Sequence, residues 1–216
     1  VNIYRSKNSV ARSGYFDYLC VVDTETSGLS YNTLDPSTGF QIVSIGAIIV
    51  NANSLEELDS IYLECQWNGQ SSWSPGAEKV HGLSRQYLEQ NALPEAEFIA
   101  TFAEWLYTYY PPDGDANQRS AKFAGQNIRS FDHYFIKNLF TKYELPLRTG
   151  SRFVDTSSLG YAVFGCYDSN ELFRLIGHEE RKEHNALDDA RMSLDVIRMA
   201  REVSKKNVEK LYQQFD

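Results

Sequence analysis

Leu19-Cys20-Val21-Val22-Asp23-Thr24-Glu25-Thr26-Ser27-Gly28-Leu29 joins a short apolar run, rich in β-branched residues, to two acids one residue apart and a Thr-Ser-Gly turn. The apolar run reads as a buried strand. Residues i and i+2 of a strand point to the same face, so Asp23 and Glu25 aim two carboxylates at one spot where the strand ends. Like charges held together away from water repel each other, a cost that a bound cation relieves. Oxygen-only ligands of this kind suit hard Mg²⁺ or Mn²⁺. Because solvated strand ends also produce Asp-x-Glu, the reading depends on further acids elsewhere in the chain.

Composition narrows the field. At 216 residues the chain has room for one α/β domain with a substantial core. Residues 1–17 read as a polar and basic arm (Arg5, Lys7, Arg12), and 18–216 as a single domain. A formal charge of −8 argues against a general nucleic-acid binder, which needs a basic surface, but not against an enzyme gripping a chain end through metal ions. The three cysteines, Cys20, Cys65 and Cys166, are widely spaced and suggest neither a disulfide framework nor a zinc site. Reduced, cytoplasmic surroundings are expected. No apolar run has the length of a membrane span, and the polar start lacks a signal-peptide core, so no membrane association is expected.

From the first strand outward, residues 30–39 carry the Asn, Asp, Pro, Ser and Gly of a loop. Residues 40–50 and 58–67 return as two more strands, and three strands with short links predict an antiparallel meander. A short helix is expected over 77–83, ended by Gly82, and a longer one over 94–109, with Phe98, Phe102, Trp105, Leu106 and Tyr109 at helical spacing. Residues 122–125 form a short strand and 131–143 a helix. Residues 153–156 end another strand, with Asp155 or Thr156 as the N-cap of the segment beyond it. The last helices cover 168–176 and 185–212, the second interrupted near Ser204. Alternating strands and helices in the second half imply parallel additions to the meander.

Two further acid sites complete the pattern. Asp132 begins a helix leaving the carboxyl end of a strand, where open α/β sheets gather their ligands. His184 precedes Asp189 by five residues, about 500° of helical rotation, so the two converge only if His184 lies in the preceding loop or first turn. Asp188 competes with Asp189 by proximity.

In this order, Asp23-x-Glu25, Phe131-Asp132 and His184-x-x-x-x-Asp189 resemble the DEDDh branch of the DnaQ-like 3′-to-5′ exonucleases, which includes polymerase proofreading subunits, ribonuclease T and oligoribonuclease. Ile45-Gly46-Ala47, Val80-His81-Gly82-Leu83, Asn127 and Phe153-Val154-Asp155-Thr156 add to the likeness, which runs from Val21 to the final helix. Gln126 departs from it, many relatives having His before the Asn, as does the long loop at 30–39.

The resemblance implies a ribonuclease H-like α/β fold, a mixed five-stranded sheet flanked by helices with the second strand antiparallel. It also implies two Mg²⁺ or Mn²⁺ ions held by Asp23, Glu25, Asp132 and Asp189. Two metals about 3.5–4 Å apart stabilise the attacking and leaving oxygens of an in-line displacement at phosphorus. His184 would take a proton from the attacking water, and the product would be a nucleoside 5′-monophosphate. By the same likeness Thr24, Thr26 and Leu29 would contact the terminal nucleotide, with Asn127 beside them. Phe131 and other aromatics could stack bases, although their spacing places most in the core. The expected substrate is a single-stranded DNA or RNA 3′ end. Alternatives are a proofreading or RNA-trimming subunit working with a polymerase or processing complex, and a catalytically silent binding module of the same fold.

Overall fold

The computed structural model describes residues 17–30, 39–114, 120–179 and 184–213. The arm expected at 1–17, apart from Asp17, and most of the loop at 30–39 lie outside the described residues. The meander is present: β1 (Tyr18–Thr26) pairs antiparallel with β2 (Ile42–Asn51), and β2 with β3 (Glu57–Glu64). Then come α1 (Pro75–His81), α2 (Arg85–Asn91), α3 (Glu95–Tyr109), β4 (Phe123–Gly125), α4 (Asp132–Lys142) and β5 (Val154–Asp155). The chain continues through α5 (Thr156–Phe164), α6 (Ser169–Leu175) and α7 (Ala186–Gln213). Both short strands run parallel to β1, giving the order β3-β2-β1-β4-β5 and a mixed five-stranded sheet.

Alternation along β1 divides the core in two. Cys20 and Val22 pack with Phe98, Phe102, Ile136 and Phe140 from α3 and α4. Leu19 and Val21 pack with Ala190, Leu194 and Ile197 of α7. With each fully buried Leu or Ile contributing about 1.5–3 kcal/mol, the apolar seam under α7 fixes that helix firmly against the sheet.

Two local outcomes differ from the sequence reading, at α2 and α7. Helix α2 is an addition to it: Ser84 caps this helix, its Oγ accepting the Tyr87 N–H at 3.2 Å, but only Leu88 is buried, which leaves no apolar period to read. Of the two caps expected after β5 it is Asp155 that serves, starting α5 by accepting the Ser157 N–H at 3.0 Å. Helix α7 passes through Ser204 without the expected break. A serine inside a helix costs only about 0.5 kcal/mol relative to alanine, too little to interrupt a helix already propagating from turns anchored up to Ala200. No helix among the described residues is long and apolar enough to cross a membrane.

The sheet admits α7 at one point. A Cβ built on Gly46 of β2 would stand 2.1 Å from the Leu187 nitrogen and 2.3 Å from the Ala186 carbonyl carbon. The first turn of α7 therefore lies directly on the β2 backbone, a closeness only glycine permits. Gly46→Ala should lower the urea midpoint by the equivalent of about 1–3 kcal/mol with little change in slope. Gly76→Ala, whose Cβ would meet only Ser74 Oγ at 3.5 Å, should leave the midpoint unchanged or raise it. Equal midpoints for the two variants would contradict the close approach.

Candidate active site

Helix α7 begins at a cap built by Asn185, whose Oδ1 accepts the N–H groups of Leu187 and Asp188 at 3.1 and 3.2 Å. With the helix so started and laid on Gly46, its two adjacent acids diverge. Asp188 turns outward, its side chain 67% exposed, and faces Arg191 at 3.6 Å. Asp189 turns inward and is buried. The ambiguity between the two neighbours is thus resolved by the face each occupies on the helix.

His184 lies in the loop before α7, where convergence with Asp189 requires it. Its backbone N–H donates to the Val80 carbonyl at 3.1 Å, tying the loop to α1, and its Nδ1 stands 3.3 Å from Asp189 Oδ2. One ligand atom from each of Glu25, His184 and Asp189 falls within 4.8 Å of the others. This grouping includes neither Asp23 nor Asp132. Asp23 is half-buried on the same face of β1 as Glu25, paired in register with Gly46 under the start of α7.

Asp132 reaches β1 from the opposite side. It is the first residue of α4, only 2% exposed, and its Oδ1 accepts both the Thr24 N–H at 2.9 Å and the Thr24 hydroxyl at 2.7 Å. Burial pushes its carboxyl up to about 7, against the opposing effect of the Thr24 bonds, with the nearby Asp155 charge adding to the rise. An acid so placed is costly to ionise unless a cation compensates it.

The other expected substrate contacts are placed unevenly. Thr24 is buried, with its hydroxyl committed to Asp132, and so serves that acid. Thr26 is buried and donates its hydroxyl to the Gly28 carbonyl at 2.7 Å. Leu29 is 84% exposed just beyond the strand. Asn127 is exposed, with a positive φ of 52°. Phe131 is half-buried, its ring 5.1 Å from that of Phe135 at the edge of the core.

His81, quoted only as part of a motif, has a definite place. Its Nδ1 accepts the Leu83 N–H at 3.0 Å, so the ring proton resides on Nε2, which is buried and has no hydrogen-bond partner among the described residues. Burial, assisted by His184 and opposed by Glu78, holds His81 below the usual histidine range, and it stays neutral.

The donor set fits a hard divalent cation. Buried carboxylates on β1 and α7 converge from two sides, and a third on α4 resists ionisation without a compensating charge.

Comparison with known proteins points to one family. The family model described as Exonuclease matches residues 20–197. The 3′-5′ DNA exonuclease Cap18 of Escherichia coli is 28% identical over 190 residues, covering 86% of this chain and 92% of that protein. Protein NEN4 of Arabidopsis thaliana is 31% identical over 163 residues, covering 74% of this chain and 58% of that protein. Among solved structures, E. coli Exonuclease I in complex with a dT13 oligonucleotide superposes with a TM-score of 0.69 at 16% identity, over 91% of this chain and 43% of that one. The zinc-bound E. coli ExoI–ssDNA complex gives 0.70 at 16% identity, over 92% and 43%. The shared architecture is the ribonuclease H-like fold, and this chain spans less than half the length of those exonuclease I chains.

Asp132 supplies a test in the metal-free protein. Its folded value lies above the ordinary carboxylate value of about 4, so its contribution to stability is full below pH 4 and is lost as pH rises through about 7. Asp132→Asn removes that titration. In EDTA, wild type should lose stability relative to the variant as pH rises from about 4 to about 7, by on the order of 4 kcal/mol in urea unfolding. Parallel pH profiles would show that Asp132 is not held protonated.

Proposed function

The chain belongs to the exonuclease family, and on that premise we propose that its work as a 3′-to-5′ exonuclease on single-stranded ends is done by Asp23, Glu25, Asp132, Asp189 and His184. The observation that carries this reading is the convergence of Glu25, His184 and Asp189 within 4.8 Å, from a strand end and a helix start far apart in sequence. Single-stranded DNA is the proposed substrate, supported by the relative named a 3′-5′ DNA exonuclease and by the exonuclease I complexes with oligonucleotides that share the fold.

The four carboxylates would hold two divalent cations, Mg²⁺ or Mn²⁺ by their oxygen chemistry. Such ions neutralise the phosphate and stabilise the charge that develops on the attacking and leaving oxygens. Glu25 and Asp189 face each other across the β1–α7 junction, and Asp23 extends that surface along the strand. Thr24 fixes Asp132 through two hydrogen bonds to a single oxygen, so the carboxylate is oriented before substrate arrives.

His184 is the proposed general base. With Nδ1 directed at Asp189, the neutral ring carries its proton there and presents Nε2 as the acceptor. After the ring takes a proton from water, the Asp189 carboxylate beside Nδ1 stabilises the imidazolium. The Val80 carbonyl holds the loop that aims the ring. Exposed Leu29, at the turn after β1, offers an apolar contact to the terminal base, and the turn at Asn127 borders the start of α4. Hydrolysis in this sense releases a nucleoside 5′-monophosphate.

A 3′-labelled single strand should lose its label first, as a mononucleotide, in Mg²⁺ or Mn²⁺, and EDTA should abolish the release. Asp189→Ala should lose most of the Mn²⁺-dependent rise in melting temperature, worth about 2.7 kcal/mol at a hundredfold excess over Kd. His184→Ala should keep that rise while its rate falls by roughly 10²–10⁴. Release of internal fragments would overturn the polarity. Loss of the melting shift in His184→Ala as complete as in Asp189→Ala would make the imidazole a ligand rather than the base.

A further inference from the structure

Among the described residues most aromatic rings lie in or against the core, but Tyr161 and Tyr167 are 54% and 62% exposed. Their rings lie face to face, centroids 4.5 Å apart and planes within 6°. Two large rings ordered against each other in water leave apolar surface uncovered, which calls for an occupant.

The pair is built into the fold. Tyr161 lies on α5, whose end is capped by Gly165 in the left-handed region at φ 76°. That reversal brings Tyr167 back over the helix. Gly160 allows the return, since a Cβ there would meet the Cys166 carbonyl oxygen at 2.7 Å. The Tyr167 carbonyl accepts the Gln126 side-chain N–H at 2.8 Å, and Gln126 Oε1 accepts the Thr156 hydroxyl at 2.7 Å. Gln126 comes directly after β4 and precedes Asp132 by six residues. The residue that departs from the family pattern thus ties the tyrosine pair to the carboxyl ends of β4 and β5, the edge at which β1 presents its acids.

We propose that the Tyr161–Tyr167 stack is a base-binding platform for the single-stranded substrate, taking a base two or three nucleotides upstream of the 3′ end. This rests on the exonuclease reading above. Neighbouring strands lie about 4.8 Å apart, so β5 stands about 10 Å from β1, the reach of two or three nucleotides at about 3.4 Å each. Base stacking suits an exonuclease that accepts any sequence, because every base offers a π face. It also adds affinity without basic residues, which a chain of net charge −8 needs. Exposed Arg129, in the turn after Gln126, provides a cation beside the path for the intervening phosphates. Gln126 is a positioning residue, holding the Tyr167 segment against the sheet edge.

The test uses single-stranded dT octamers and dinucleotides with Tyr167→Ala, Tyr161→Ala and Tyr167→Phe. The alanine variants should raise KM for the octamer about 5- to 100-fold with kcat nearly unchanged, and Tyr167→Phe, which keeps the ring, should restore it. The dinucleotide, too short to reach the platform, should be cleaved equally by all. In EDTA, anisotropy of a 5′-labelled octamer should show the same weakening of binding. An abasic site walked from the 3′ end should weaken wild-type binding most at the third or fourth position, counting the terminal nucleotide as the first, and have no such effect in Tyr167→Ala. If the alanine variants bind and cleave the octamer as wild type does, the platform is wrong, and the surface serves a protein partner or none. Equal loss on dinucleotide and octamer would also overturn it, marking damage to the site rather than a lost base contact. If wild type binds with this tyrosine dependence but releases nothing from a 3′ end, the platform stands and the exonuclease reading fails.

Discussion

The seating of α7 on Gly46 is the contact on which the arrangement of acids depends. An α-helix normally keeps its distance from a sheet because side chains on both surfaces intervene. Here the Leu187 nitrogen would lie 2.1 Å from a Cβ at position 46. That closeness brings the first turn of the helix, and the loop that carries His184, down to the level of the β1 carboxylates. The positive end of the helix dipole then points into a cluster of like charges and offsets part of their repulsion. The rest is borne by apolar burial further along the helix, where Ala190, Leu194 and Ile197 meet Leu19, Val21, Ile48 and Val50. The acids stay together because a hydrophobic seam about two turns long holds one end of a rigid rod in place.

Strand β1 serves both sides of the sheet by alternation. Asp23 and Glu25 face α7, whereas Thr24 faces the other layer and clamps Asp132 at the start of α4. The pairing spans 108 residues of sequence, yet it needs only a threonine between two acids and a helix that begins at a β4 crossover. A third carboxylate is thus linked to the first two through the strand backbone itself. Displacing β1 along its axis would disturb both sets of acids together. The strand is accordingly held at the centre of the sheet, with β2 on one side and β4 on the other.

The parts of this fold legible in the sequence are those set by local periodicity and local chemistry. The apolar run ending in Asp23 and Glu25, the antiparallel meander and the placement of His184 ahead of a helix all derive from side-chain spacing over short stretches. In the sequence only the motif spacing from His184 selects Asp189 over Asp188; the physical reason, the helix face each occupies, depends on where α7 lands. The role of Thr24 is hidden because a threonine beside two acids looks like a turn residue, and its partner Asp132 lies in another element. Gly46 carries a readable signal, since glycine inside a strand marks a close approach, but not the identity of the element that approaches. Helix α2 leaves little trace because one buried leucine makes no pattern, and α7 outlasts Ser204 because a single exposed serine carries only a small propensity cost.

Charge explains the distribution of the remaining contacts. A chain of net charge −8 that gathers four carboxylates at one edge repels a polyanion at long range, so affinity must arise at short range. Cations held by the proposed ligands reverse the local sign where the scissile phosphate would lie. Beyond the reach of those ions, contacts that do not depend on charge have to take over, and stacking on exposed rings is such a contact. The tyrosine pair proposed as a platform is tied through Gln126 to the ends of β4 and β5, while Leu29 stands at the turn after β1. The two apolar surfaces bracket the acids along the sheet edge. A strand laid between them would be held by its bases at both ends and by its phosphate in the middle, where the proposed cations would receive its negative charge.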